Sequence, residues 1–258
     1  MRLSRAEKII YPHLDVDFLR RALERAPRGT GLKVIVTESL FSMDGDCAPL
    51  RELADLAKAH DAYLIVDEAH ATGLWGRFDE NLGGGMAQSL GLGRQLLATV
   101  HTGGKALGCG GAWVACSAEL KSYLINFCRP FIFSTAPMPM AAVALRETIA
   151  HWLDIGQERV AELFAKIELF KTCVNERVGR PMVPPSVGGP IVPLIFGPND
   201  AALQAARRLQ ALGFDIRAIR PPTVAEGTAR LRVTIRSDQT LESLRTLVEA
   251  LSRQGVPA

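Results

Sequence analysis

The chain has 258 residues, 48% of them hydrophobic and 22% charged, with a net charge of +3 at pH 7. That is enough apolar material for one large core or two smaller ones, and too slight a charge to argue for nucleic acid or an anionic membrane as partner. No uninterrupted apolar stretch is long enough to span a bilayer, and "MRLSRAEKII" carries no signal-peptide apolar core, so a cytoplasmic protein is expected. The five cysteines (Cys47, Cys109, Cys116, Cys128 and Cys173) form no C-x-x-C pair, which speaks for reduced, packed thiols over a zinc site or a disulfide framework.

In chain order, "DVDFLRRALERA" has helical apolar spacing and stops at "PRGTG". "KVIVTES" is a β-branched run that predicts a buried strand. "PLRELADLAKAHD" predicts an amphipathic helix with Pro49 at its start, and "AYLIVDEAH" a second buried strand ending in polar residues. "QLLATVHT" and "GAWVACS" predict third and fourth strands, and "AELKSYLINFC" a helix. This rhythm implies right-handed crossovers and a mostly parallel sheet covered on both faces. From "STAPMPM" to "NERV" the chain predicts one or two long helices. "GGPIVPLIFG", "AALQAARRLQALGF", "DIRAIRPPTV", "ARLRVTIRS" and "TLESLRTLVEALSRQG" then alternate strands and helices again. The expected organisation is a large α/β domain over residues 1–150 and a smaller C-terminal α/β domain over residues 151–258.

Ligands of open parallel sheets bind beyond the carboxyl ends of the strands. Three predicted strand ends carry polar groups there: Ser42 after "VIVTESLF", Asp67, Glu68 and His70 after "YLIV", and Thr102 and Lys105 after "LLATV". Lys105 stands among glycines in "HTGGKALGCGG", where a lysine is solvated, grips phosphate or forms a Schiff base with a carbonyl. "VDEAH" has the look of the acidic pair of an ATPase or helicase. The partner motif G-x-x-x-x-G-K-[ST] is missing: position 99 is Thr, Ala106 replaces the magnesium-binding hydroxyl, and Lys105 follows the acidic pair instead of preceding it. Asp67, Glu68 and His70 have the chemistry to hold a divalent ion, but no further ligand stands at a telling spacing, so no metal is expected.

The third chemistry is pyridoxal phosphate chemistry. "TESLFSMDGDCAPL", "DEAHATGLWG", "TGGKALGCGGAWV", "RPFIFSTAP" and "RPPTVAEGTARLR" occur in this order, and together they resemble the α-oxoamine synthases, which are fold-type-I pyridoxal phosphate enzymes. The resemblance runs from about "RLSRA" to the C-terminus. It implies the mostly parallel sheet of that large domain, N-terminally truncated, with a smaller C-terminal α/β domain. Within the family the blocks are most similar to the branch that condenses L-alanine with pimeloyl-CoA, or its carrier-protein form, in biotin synthesis. Another α-oxoamine synthase, an aminotransferase-like enzyme, or a catalytically dead fragment acting as a binding module are the alternatives.

The resemblance also implies roles. Lys105 forms the Schiff base with the cofactor and then acts as general base, a role suited to a lysine in a partly desolvated loop beside other charge, which would lower its pKa. Asp67 pairs with the pyridine nitrogen, His70 lies near the ring hydroxyl, and Ser42 and Thr102 contact the cofactor, Thr102 at the phosphate. Ser134 and Thr135, in "FSTA", lie near the interface of a homodimer and reach toward the partner's phosphate. Thr223 contacts substrate, and Arg232 holds the amino-acid carboxylate, for which a planar guanidinium is suited. Strand alternation alone puts Arg230 and Arg232 on one face, and Arg220 and Arg236 are further candidates, so the choice of Arg232 rests on the resemblance.

The chain departs from the family pattern in three places. The family's N-terminal portion, with a glycine-containing phosphate loop and a ring-stacking histidine, has no counterpart; His13 belongs to a later block. A fragment of a longer synthase, or a short protein that lost catalysis, is therefore expected, with an exposed sheet edge. His101 stands where the family has small or apolar residues, and it either touches phosphate or packs. The link "DENLGGGMAQSLGLGRQ" is longer than usual and bears on the subunit interface or the mouth of the site.

Overall fold

In the computed structural model, which describes residues 4–27, 29, 31–76, 84–178 and 182–253, the first regular element is α1 (Val16–Arg25). Asp15 caps it, accepting the Phe18 N–H at 2.7 Å, and Val16, Leu19 and Leu23 bury one stripe. The strand β1 (Lys33–Glu38) leads into α2 (Leu50–Ala59), whose Leu50, Leu53, Ala54, Leu56 and Ala57 are buried, and then into β2 (Ala62–Asp67). β1 and β2 are parallel and in register from Lys33↔Ala62 to Glu38↔Asp67. The connection through α2 is thus the expected crossover.

The short helix α3 (Met86–Ser89) precedes β3 (Ala98–Thr102), which pairs parallel to β2 from Ile65↔Ala98 to Asp67↔Val100. β4 (Ala112–Cys116) turns back antiparallel on β3, giving the order β1-β2-β3-β4 with β1 and β4 at the edges. Leu64 and Val66 of β2 are fully buried, each contributing on the order of 2 kcal/mol by leaving water. The cover is uneven, contrary to the expectation of a sheet covered on both faces. β4 is largely exposed, and α4 (Ala118–Phe127) buries no residue. After α5 (Arg129–Ile132) the exposed apolar run continues, with Phe127 at 64% and Phe133 at 72% exposure.

Residues 139–178 form one continuous helix, α6 (Pro139–Val178), where the sequence left one helix or two. The chain groups into two units, divided within α6. The first holds residues up to Ser39 with Ala48–Trp152, and the second holds Leu40–Cys47 with Leu153 onward. The second unit contains β5 (Ile191–Gly197), α7 (Asn199–Ala211), β6 (Arg217–Ile219), β7 (Ala229–Thr234) and α8 (Leu241–Arg253). Its three-stranded sheet has the order β5-β7-β6 and both pairings are antiparallel. Val192, Leu194, Leu209, Leu231 and Ile235 fill its core.

The segment Leu40–Cys47 joins this unit through the bridge Asp46↔Val187 and the bond from Gly188 N–H to the Gly45 carbonyl at 2.9 Å. Gly45 has φ +67°, and a Cβ there would lie 2.0 Å from the Ile191 carbonyl oxygen, so only glycine fits. Among the described residues no helix is long and apolar enough to cross a membrane.

Candidate active site

Asp67 closes β2, and its Oδ1 accepts the Ala69 N–H at 2.9 Å, an Asx turn that bends the chain out of the sheet. Its carbonyl accepts from the Ser39 N–H at 2.9 Å, so the ends of β1 and β2 are tied. Glu68 continues the inward alternation of Leu64 and Val66 and is fully buried. Its carboxylate accepts from Ser39 Oγ at 2.6 Å, Met86 N at 3.0 Å and Ala87 N at 2.7 Å. Burial raises its pKa, against the pull of those hydrogen bonds, and the nearby Asp67 charge raises it further. A Cβ on Gly85 would lie 2.5 Å from the Glu68 carboxyl carbon, so glycine is needed for this approach. Glu68 is thus an anchor of the turn and has its carboxylate oxygens committed, which removes it from the metal set. His70, half-buried, sits in the turn that Glu68 organises: the Glu68 carbonyl accepts from Ala71 N at 2.9 Å and Thr72 N at 2.7 Å.

The parallel neighbour β3 ends at Thr102, and Lys105 follows in a loop closed by Gly103 N–H to the Gly111 carbonyl at 2.8 Å and Cys109 N–H to the Gly103 carbonyl at 2.9 Å. A Cβ on Gly103 would lie 2.7 Å from the Cys109 carbonyl oxygen, whereas one on Gly104 would meet nothing within 4 Å among the described residues. Thr102 Oγ1 is buried and has no hydrogen-bond partner among the described residues. An orphaned hydroxyl of this kind costs about 1–3 kcal/mol, so it needs a reason. Lys105 itself is exposed, which corrects the expectation of a partly desolvated lysine: the chain's own residues leave it in water. Gly73 (φ +82°) packs close by, a Cβ there lying 3.1 Å from the Ala106 Cβ, and its carbonyl accepts from Trp152 Nε1 at 2.9 Å.

His101 is buried, with Nδ1 at 2.8 Å from Thr72 Oγ1 and Nε2 at 2.7 Å from Thr99 Oγ1. Trp113, its cross-strand partner, stacks on the ring at 5.1 Å and 8°. Burial lowers its pKa to about 4, although the Asp67 charge pulls the other way. Both ring nitrogens are engaged within the protein, so of the two expected roles His101 takes the packing one.

Ser134 and Thr135 are exposed after α5, and the Ser134 hydroxyl donates to the Pro130 carbonyl at 2.5 Å. Ser42, half-buried, and Thr223, exposed, belong to the second unit. On β7 the two arginines left open by alternation differ. Arg230 is buried and committed: its guanidinium meets Asp44 Oδ1 at 2.5 Å and the carbonyls of Met43 and Thr228 at 3.3 and 3.1 Å. Arg232 Nε is buried and has no partner among the described residues. The structure thus brings Asp67, His70, Thr102 and Lys105 to the adjacent carboxyl ends of β2 and β3, and places Ser42, Thr223 and Arg232 in the second unit. Part of the long link after Trp75, residues 77–83, lies outside the described residues.

Buried polar residues at parallel strand ends with a glycine-flanked lysine fit a known group of proteins. Residues 1–251 match the aminotransferase class I and II family, and the chain belongs to it. It is 42% identical to the 8-amino-7-oxononanoate synthase of Cupriavidus taiwanensis, covering 97% of this chain and 61% of that protein. It is 40% identical to the same-named protein of Lysinibacillus sphaericus, covering 98% of this chain and 63% of that one. Among solved structures, the 8-amino-7-oxononanoate synthase of Francisella tularensis matches with a TM-score of 0.82 at 26% identity, over 98% of this chain and 70% of that chain. A serine palmitoyltransferase of S. paucimobilis bound to a PLP–myriocin aldimine matches with a TM-score of 0.85 at 26% identity, over 94% of this chain and 59% of that chain. These relatives are α-oxoamine synthases, and the mostly parallel sheet with its helices is that of the fold-type-I pyridoxal phosphate transferases. The chain spans about three-fifths of the length of the curated relatives it matches.

Proposed function

We propose that this chain carries the pyridoxal phosphate site of an acyltransferase of the 8-amino-7-oxononanoate synthase type. Such an enzyme condenses an amino acid, L-alanine, with an acyl thioester, pimeloyl-CoA or its carrier-protein form, and releases carbon dioxide. One observation carries the reading. The two described side chains outside Leu40–Cys47 that leave a buried polar atom without a partner, Thr102 and Arg232, are the residues on which the sequence resemblance puts a phosphate and a carboxylate. An apolar or purely structural role for either would leave a desolvated donor unexplained.

Thr102 Oγ1 would donate to the cofactor phosphate, Asp67 would pair with the pyridine nitrogen, His70 would lie near the ring hydroxyl, Ser42 would contact the cofactor, and Lys105 Nζ would attach it. When bound, the cofactor supplies an electron sink for charge developing at the amino acid's α-carbon. Lys105 Nζ, once free, would take the α-proton of the amino acid. Arg232 grips the carboxylate, with Thr223 beside the substrate. The α-carbon would then bond to the acyl carbon as the C–S bond breaks and the thiol leaves, the carboxylate would depart as carbon dioxide, and the α-carbon would take a proton in its place to give the α-amino ketone. Cover over the exposed Lys105 comes from cofactor and substrate, which would exclude water from its amine and bring its pKa toward working pH.

The exposed apolar run through Tyr123, Phe127, Phe131 and Phe133 supports a homodimer in which Ser134 and Thr135 face the partner. The free thiols suit a cytoplasmic location. The test is thiol release from an acyl-CoA by the cofactor-loaded chain. Release that requires L-alanine, with matching carbon dioxide, supports the condensation. Cofactor binding without release would leave a binding module in place of an enzyme.

A further inference from the structure

The hydrogen bonds around His101 have only one consistent direction. Thr72 Oγ1 lies 2.7 Å from the Glu68 carbonyl oxygen and 2.8 Å from His101 Nδ1. A carbonyl only accepts, so the single Thr72 hydroxyl proton is committed to Glu68, and Thr72 Oγ1 must accept from the Nδ1–H. In a neutral ring Nε2 then holds a lone pair and accepts the Thr99 hydroxyl at 2.7 Å. The chain runs from Thr99 to His101 to Thr72 to the backbone at Glu68. Burial, which keeps the imidazole neutral, agrees with this direction.

The ladder between β2 and β3 stops at Asp67↔Val100, with a last bond from Glu68 N–H to the Val100 carbonyl at 2.8 Å. Beyond it the two strands are no longer paired with each other: β2 passes into the turn holding His70, while β3 stays paired with β4 through Thr102 before the loop holding Lys105. His101 lies one residue past this ladder on β3 and reaches across to Thr72, five residues past it on the other side. Trp113 behind the ring fixes its plane.

We infer that His101 is a positioning residue, a strut that locks the turn carrying Asp67 and His70 against the strand end carrying Thr102 and Lys105. It acts through Thr72 and touches no ligand. The role explains a polar residue at a fully enclosed position that the family fills with small or apolar side chains.

The test compares side chains that keep one half of the strut. His101→Asn retains a donor near the Nδ1 position, His101→Gln places its amide near Nε2, and His101→Phe keeps only the ring against Trp113. Thr72→Val and Thr72→Ser remove and restore the middle hydroxyl, and circular dichroism confirms which variants fold. Hydrogen exchange of the full chain without cofactor is read for the amides of residues 69–76. His101→Gln, His101→Phe and Thr72→Val should speed exchange there about tenfold, while His101→Asn and Thr72→Ser stay within about threefold of wild type. Equal behaviour of Asn, Gln and Phe, or no change in this segment, would overturn the strut. Titration with pyridoxal phosphate, followed by absorbance, should show the same ranking as about a tenfold weakening; this arm rests on the cofactor assignment above. Wild-type chain that takes up no cofactor would sink that assignment and leave the exchange result to decide the strut. Faster exchange with unchanged cofactor affinity would show that the strut does not position the site and would overturn the inference.

Discussion

Thr102 and Arg232, for which we propose contacts to a phosphate and a carboxylate, each keep a buried polar atom without a hydrogen-bond partner among the described residues. The consequence is a divergence between stability and binding. Thr102→Val removes a hydroxyl that has no partner among the described residues, so the unfolding free energy from urea titration should hold steady or rise by up to about 1 kcal/mol, while affinity for pyridoxal phosphate falls about tenfold. A drop in both would show the hydroxyl to be structural. The β7 arginines give the converse pair. Arg230→Gln leaves the Asp44 carboxylate unpaired beside a lost guanidinium and should cost the second unit about 2 kcal/mol. Arg232→Gln should leave the unfolding midpoint within about 1 kcal/mol and weaken the amino acid's grip, read as a raised half-saturation concentration for L-alanine. The sequence pattern had both arginines on one face and could not choose, because what distinguishes them is Asp44, 186 residues away in the chain.

Among elements, the loop segments are more tightly specified than the helices. Gly45→Ala would place a Cβ 2.0 Å from the Ile191 carbonyl oxygen at φ +67°, against backbone that cannot step aside. A loss of about 3 kcal/mol or more, measured by denaturant unfolding, is expected. Gly104→Ala meets nothing within 4 Å among the described residues and should be neutral for stability, so any loss of cofactor binding by it reports on the ligand's own approach. The strands β1, β2 and β3 were legible because β-branched runs bounded by turn residues leave few alternatives. Glu68 was legible in principle: it extends the inward period of Leu64 and Val66, and a carboxylate at such a position must find donors. The donors, Ser39 and the start of α3, come from distant segments, and periodicity says nothing of them. The same limit hid the antiparallel order β5-β7-β6 and the pairing of Leu40–Cys47 with Val187, since an apolar run fixes a strand but not its partner.

Across the whole molecule, burial makes stability depend on pH in a defined direction. The His101 imidazole takes up a proton near pH 6.5 when unfolded and only at about 4 when folded. The unfolded state therefore binds more protons in that window, and the stability His101 contributes, complete above 6.5, is lost as pH falls toward 4. Glu68 acts in the opposite sense, because its folded pKa is raised: its contribution is greatest at low pH and falls as pH rises through the folded value. His101→Asn should therefore flatten the loss between pH 6.5 and 4 in thermal unfolding, and an unchanged profile would show that His101 is not buried as described. The exposed apolar face from β4 through α5 belongs to this scale too. It reads in the sequence as ordinary helix, because the composition of α4 does not reveal which neighbours are present to cover it.

The central claim is that Lys105 stands among glycines in order to carry pyridoxal phosphate. The most direct measurement is borohydride reduction of the chain after incubation with the cofactor, followed by peptide mass spectrometry. A reduced pyridoxyl group confined to Lys105, abolished by Lys105→Ala and weakened by Thr102→Val, is the predicted result. A folded chain that shows no adduct, or one whose adducts scatter over exposed lysines without preference for Lys105, would contradict it.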